Sequence, residues 1–195
     1  MARTREFDTD AAVTAAMEAF RRSGFAGTSM RDLVEATGLG SGSLYAAFGS
    51  KEGLYLAALD LYRQQYAVPM IDLLRSGGHD PAQLVREVFV AAVDAIAHDG
   101  DRRACLIVAG AMERAGDDTR VAMRLRSTTQ SLELALFDVI AEGQARGFFP
   151  NELSAAALAG FLVTSLQGLR VMGAIDPDRS ALMRSAEVAL RCLSS

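Results

Sequence analysis

The chain has 195 residues, half of them hydrophobic and 23% charged, with 17 Gly, 4 Pro, 2 Cys, 2 His and no Trp. That is ordinary globular composition, which excludes wholesale disorder, and the length buries a sizeable core in one large domain or a small domain beside a larger one. Net charge is −4, split as 7 Lys+Arg against 8 Asp+Glu over residues 1–66 and 13 against 16 over residues 67–195, so bulk charge gives no sign of a polyanion partner.

Taken in chain order, Val13, Met17 and Phe20 form a first helical stripe, stopped by Ser23-Gly24-Phe25-Ala26-Gly27 with Gly24 suited to a left-handed cap. Thr28 or Ser29 caps a second helix whose stripe is Met30, Leu33, Val34 and Thr37. After a tight break at Gly38-Leu39-Gly40 comes a short helix, Ser41–Phe48, and then a longer one carrying Leu54, Ala58, Leu61 and Tyr62. Ser76–Pro81 reads as a loop. Val85, Phe89, Ala92 and Ile96 follow, then a loop at His98–Asp101, then Leu132, Leu136, Val139 and Ile140. Gly147–Asn151 separates these from Leu158, Phe161, Leu162, Ser165, Leu169 and Met172. Asp176-Pro177-Asp178 opens a last helix with Leu182, Ala186, Ala189, Leu190 and Leu193. Every spacing is i, i+3, i+4, i+7, and no stretch alternates for five residues or more, which predicts an all-α fold.

The longest apolar stretches, Ala104–Met112 and Ala155–Val163, are nine residues each with their glycines counted. A spanning helix needs about 20, and the first residues carry no secretory apolar region. The expectation is a soluble cytoplasmic chain with no membrane partner. Cys105 and Cys192 have neither zinc nor disulfide-framework spacing, so no metal and no cofactor is expected.

Residues 29–48 have the layout of a helix-turn-helix: two short helices joined by a Gly-containing turn. Eight residues of helix span about 12 Å, close to the width of the DNA major groove. Leu33, Val34, Leu39, Leu44 and Phe48 would point inward, leaving Ser41, Gly42, Ser43, Tyr45 and Ala46 outside.

The run from Ala16 to Tyr55 resembles the N-terminal domain of TetR/AcrR-type transcriptional repressors. The match rests on Gly24-Phe25, Thr28-Ser29-Met30, Thr37-Gly38-Leu39, Gly42-Ser43-Leu44-Tyr45, Phe48 and Ser50-Lys51-Glu52. With its flanks it covers about a third of the chain, and the remainder resembles that family's second domain in layout, with Gln167–Val171 as the best local echo. The resemblance implies a DNA-binding domain at 6–66 and an effector-binding and dimerisation domain at 67–195. It also implies that Thr28, Ser29, Tyr45 and Lys51 touch phosphate while Ser41, Gly42 and Ser43 approach base edges. Arg3 and Arg5 would form a basic arm. Gly40 and Ser41 stand where such proteins often place a Ser cap and a Lys or Arg, and Ala46 and Ala47 replace common polar groups. Readout would therefore lean on phosphates, thymine methyls and DNA shape.

Reading two half-sites about 34–36 Å apart requires two copies. The expected homodimer interface is the paired apolar faces of the last two helices: Leu158, Leu162, Leu169, Leu182, Ala186 and Leu190. A pocket for a mostly apolar effector is expected among Phe89, Cys105, Met112, Met123, Phe137, Phe161 and Leu162. Arg102 and Arg103 beside Cys105 leave a thiol- or oxidant-sensing repressor as an alternative, and a helical adaptor that binds no DNA is another. No GxxxxGK[ST], HExxH or GxSxG occurs, so no catalytic residue is assigned and no enzyme is expected.

Overall fold

The computed structural model describes residues 8–77, 80–98 and 105–194, and all regular elements among them are helical. The basic arm expected at Arg3 and Arg5 lies outside the described residues, as do Arg102 and Arg103. The helices are α1 (Thr9–Gly27), α2 (Met30–Thr37), α3 (Ser41–Phe48), α4 (Lys51–Tyr62), α5 (Val68–Arg75), α6 (Pro81–His98), α7 (Leu106–Glu113), α8 (Thr119–Ala145), α9 (Ala155–Ile175) and α10 (Arg179–Leu190). A π-helical turn, Arg63–Ala67, carries α4 continuously into α5, and a 3-10 turn, Arg191–Leu193, ends α10.

Helix starts follow from short acceptor side chains that satisfy free amides. Asp8, Ser29, Ser50, Asp118, Ser154 and Asp178 each accept a backbone N–H at the head of α1, α2, α4, α8, α9 and α10. α1 carries a kink at Gly24, where φ is 72° and ψ is 177°, so the helix bends there and runs on to Gly27.

Two cores form. The first gathers Met17, Phe20, Leu33, Leu44, Leu54 and Tyr55 from α1–α4, and it also takes in Leu106, Ile107, Val121 and Leu125 from α7 and α8. The second packs α5, α6, α8, α9 and α10 around Phe89, Leu136, Leu158, Leu162 and Leu166. α8 therefore contributes to both cores, and its Arg124 pairs with Asp60 of α4 at 2.9 Å.

The apolar runs understate α9. Its 21 residues, with a mean hydropathy of 1.4, make it the one helix among the described residues long and apolar enough to cross a membrane. Thr164, Ser165 and Gln167 interrupt the apolar run without making the helix polar. Here α9 packs against α6, α8 and α10 as a core helix.

Candidate nucleic-acid interface

α2 is fixed by a reciprocal cap. Ser29 Oγ accepts from the Asp32 amide at 3.2 Å, and an Asp32 carboxylate oxygen accepts from the Ser29 amide at 2.7 Å. That bond holds the Asp32 carboxyl below its usual range. α2 ends at Gly38, whose left-handed backbone (φ 68°, ψ 9°) turns the chain sharply into α3.

α3 is anchored by one buried side chain, Leu44, while Ser41, Gly42, Ser43, Tyr45 and Ala46 are exposed. Its N-cap is Gly40 and supplies no side-chain acceptor, so the Ser41 and Gly42 amides are open to an anion, while the Ser43 amide donates to the Gly40 carbonyl at 3.0 Å. A Cβ on Gly42 would meet nothing within 4 Å, so the fold itself does not need glycine there. α3 is held from behind by α4, where a Cβ on Gly53 would overlap the Phe48 carbonyl oxygen. Gly53 was not singled out by the sequence. Its only signal is a glycine in the first turn of a helix, which shows no close approach by itself.

The other expected contacts differ in availability. Lys51, at the head of α4, sets its ammonium 4.2 Å above the Phe25 ring and is half-buried. Ser29 is exposed, with its hydroxyl engaged by Asp32. Thr28 is buried at 1% exposure and donates its hydroxyl to the Gly24 carbonyl at 2.7 Å. The expectation that the Thr28 side chain touches phosphate is therefore corrected: the hydroxyl braces the α1 kink, a role invisible without knowing where Gly24 turns.

Behind this unit lies a physical link to the rest of the chain. α7 follows Cys105, its N-cap, and ends at Glu113, whose carboxylate accepts from the Ala26 amide at 3.0 Å beside the α1 kink. The next residue, Arg114, places its guanidinium 4.4 Å over Phe25, the ring that Lys51 also covers. Phe25 in turn packs edge-on to Tyr55 at 5.0 Å.

Comparison with known proteins gives the same unit a lineage. Residues 12–58 match the model of the bacterial regulatory proteins, tetR family, and residues 81–189 match the tetracyclin repressor-like C-terminal domain. The chain belongs to the TetR family. The HTH-type transcriptional repressor ComR of Escherichia coli K12 is 31% identical over 97% of this chain and 90% of its own length. The HTH-type regulator YezE of Bacillus subtilis 168 is 28% identical over 99% and 100%. A cysteine mutant of the TetR family regulator CifR, solved with 26-bp double-strand operator DNA, superimposes with a TM-score of 0.87 at 31% identity, covering 98% of this chain and 99% of that one.

The second TetR-like domain departs from the sequence expectations in two places. Leu158, Leu162, Leu169, Leu182 and Ala186 are all buried within the subunit's own core, with Leu190 packed against it. They close the monomer and are not free to pair with a second one. The apolar surface is instead Leu134 and Phe137 on α8, Phe161, Val171, Met172 and Ile175 on α9, and Val188 on α10. Phe161, Met172 and Val188 border a groove of about 540 Å³ between α9 and α10. A stripe on a helix with apolar residues around most of its girth does not reveal which arc meets its own subunit.

The effector set is corrected likewise. Met112, Met123, Phe137 and Phe161 are exposed, and Phe89 and Leu162 are core. Of that set, Cys105 borders a cavity of about 40 Å³ with polar lining from Arg21, Tyr62, Tyr66 and Arg170, while Met123, Phe137 and Phe161 border open surface grooves.

Proposed function

We propose that this TetR-family regulator is a homodimeric repressor that seats two copies of α3 in successive major grooves of a palindromic operator and is released by a small ligand. One observation carries the reading. α3 offers an uncovered first turn, with open amides, two hydroxyls, a glycine and Tyr45, on a helix immobilised by Leu44 and the α4 packing. A rigid element presenting donors at an unfilled convex edge suits phosphate positioning and groove contact. CifR, alike over nearly the whole chain, is a regulator solved on operator DNA, which supports the reading. The exposed apolar residues of α8, α9 and α10 supply the pairing face, since a patch of this kind on a subunit marks an association surface.

Control runs through α7. A ligand that favours one subunit geometry moves Cys105 at one end of that helix and Glu113 at the other, and with Glu113 the Gly24–Ala26 kink on which α2 and α3 ride. A gel shift with the DNA flanking the coding region tests the reading. Wild type retards a discrete fragment, and Tyr45→Ala and Lys51→Ala lose about tenfold or more each, the scale of lost charge-assisted or phosphate contacts. Unchanged binding in both folded variants would sink these contacts.

A thiol-sensing repressor is favoured by a separate observation: Cys105 is a free, buried thiol that borders the same cavity as Tyr62 and Arg170. In that case Cys105→Ser keeps operator affinity and loses release by thiol-reactive electrophiles. Release preserved in Cys105→Ser counts against it.

A further inference from the structure

Lys51 does not stand alone at the head of α4. Its ammonium and the Arg114 guanidinium cover the same ring, Phe25, at 4.2 and 4.4 Å from the centroid. Phe25 is 8% exposed and wedged in place: it stacks on Phe20 at 6.1 Å and meets Tyr55 edge-on at 5.0 Å. Arg114 belongs to the second domain, where it caps the C-terminal end of α7. Its neighbour Glu113 fixes that end against α1, because the Glu113 carboxylate accepts from the Ala26 amide at 3.0 Å and fills the space that a Gly24 Cβ would take. The Arg114 guanidinium also meets Asp118 at 3.6 Å, while its Nε is buried with no hydrogen-bond partner among the described residues. With so few polar anchors, this guanidinium owes much of its placement to the ring. The two cations also share a counter-charge. The Glu52 carboxyl is held below its usual range by its own backbone amide and the Ser50 hydroxyl first, with Arg114 and Lys51 adding to the effect.

We infer that Arg114 is a positioning residue for the phosphate contact of Lys51, acting between the domains through the Phe25 ring. A free lysine loses rotamer freedom when it is immobilised on DNA, and one already held above a fixed ring loses less. Phe25 stays fixed only while its contacts hold, and Arg114 is a contact that the second domain supplies. A displacement of α7 therefore reaches a DNA contact directly, without passing through α2 and α3. The inference rests on the proposed operator binding for its consequence at DNA, while the Lys51–Phe25 contact is read on the free protein.

Full-length wild type, Arg114→Gln, Arg114→Lys, Lys51→Ala and the Arg114→Gln/Lys51→Ala double variant are compared by fluorescence anisotropy on the DNA flanking the coding region. Melting temperatures are taken alongside, and Arg114→Met repeats the comparison if Arg114→Gln lowers them. In the free protein the Lys51 side-chain methylene protons are followed by NMR, since the Phe25 ring current moves them upfield. The expected result is a loss of operator affinity of about three- to tenfold in Arg114→Gln, with part recovered in Arg114→Lys. The Lys51 signals move back towards their unperturbed positions, and Arg114→Gln added to Lys51→Ala costs no further affinity. Equal losses in both backgrounds overturn the proposal, because a charge acting on DNA from a distance, or a general brace of α7, is felt with or without Lys51. So do Lys51 signals that stay in place in Arg114→Gln, or that move further upfield, which would mean that the two cations compete for the ring. Wild type that ignores the DNA sinks the operator reading and the phosphate role with it, and the Lys51 signals alone then decide whether Arg114 places this ammonium.

Discussion

Gly42 separates stability from function at a single position. Its missing Cβ faces open space in the free protein, so Gly42→Ala leaves the melting temperature unchanged or raises it, by up to about 1 kcal/mol of helix propensity. Against a DNA backbone the added methyl is in the way, and operator affinity falls by about tenfold, measured by fluorescence anisotropy. Ser29 behaves oppositely. Ser29→Ala removes one half of the α2 capping box and lowers stability by about 1 kcal/mol in denaturant unfolding. Asp118 gives a pH signature. It is buried, accepts from the Arg120 side chain at 2.9 Å and from the Arg120 amide at 2.9 Å, and its carboxyl is held at about 2. A depressed folded-state pKa means that this contribution is complete above the unfolded value near 4 and is lost as pH falls through about 2. Asp118→Asn therefore flattens the stability profile of the wild type between those limits, and an unchanged slope there would show that other carboxylates dominate.

At the scale of elements, the geometry of α3 depends on how closely α4 approaches it. Gly53→Ala pushes a methyl into the Phe48 carbonyl, so α3 must tilt or the pair must part. The expected outcome is a loss of about 1–3 kcal/mol with a larger loss of operator affinity than Ser29→Ala causes, because the reading helix is misaimed. What the sequence made legible here is uneven, and for physical reasons. α3 and the Gly38 turn were readable to the residue, and α2 to within one, its cap left open between Thr28 and Ser29, since a left-handed glycine and a short apolar stripe agree locally. The Gly24 break was also readable, though not its consequence, that the buried Thr28 hydroxyl braces it. The π-helical turn at Arg63–Ala67 left no mark, because its composition suits an α-helix equally. Faces of α9 and α10 were misassigned for a different reason. Periodicity identifies an apolar arc, and only tertiary packing decides that Leu158 and Leu162 turn inward while Phe161 and Met172 turn out. Likewise no spacing rule brings Arg21, Tyr62, Cys105 and Arg170 to one cavity, as they come from α1, α4, the head of α7 and α9.

For the whole molecule, bulk charge is a poor guide, because net −4 conceals a local surface on which open amides and hydroxyls at α3, rather than a basic patch, face outward. In the proposed dimer, two half-sites multiply the weak contacts of a single α3. Phe161→Glu and Val188→Glu place charge on the exposed α9–α10 face without touching the core, so both convert a dimer to a monomer in analytical ultracentrifugation and weaken operator binding by about a hundredfold or more. The most direct test is footprinting of the purified protein on the DNA beside its own coding region, with mass measured on the same complex. The account predicts two symmetric protected half-sites whose centres lie about one helical turn, or a whole multiple of it, apart, occupied by two copies, and abolished by Tyr45→Ala with Lys51→Ala. A single protected half-site held by a monomer, or no protection at low salt, would contradict it.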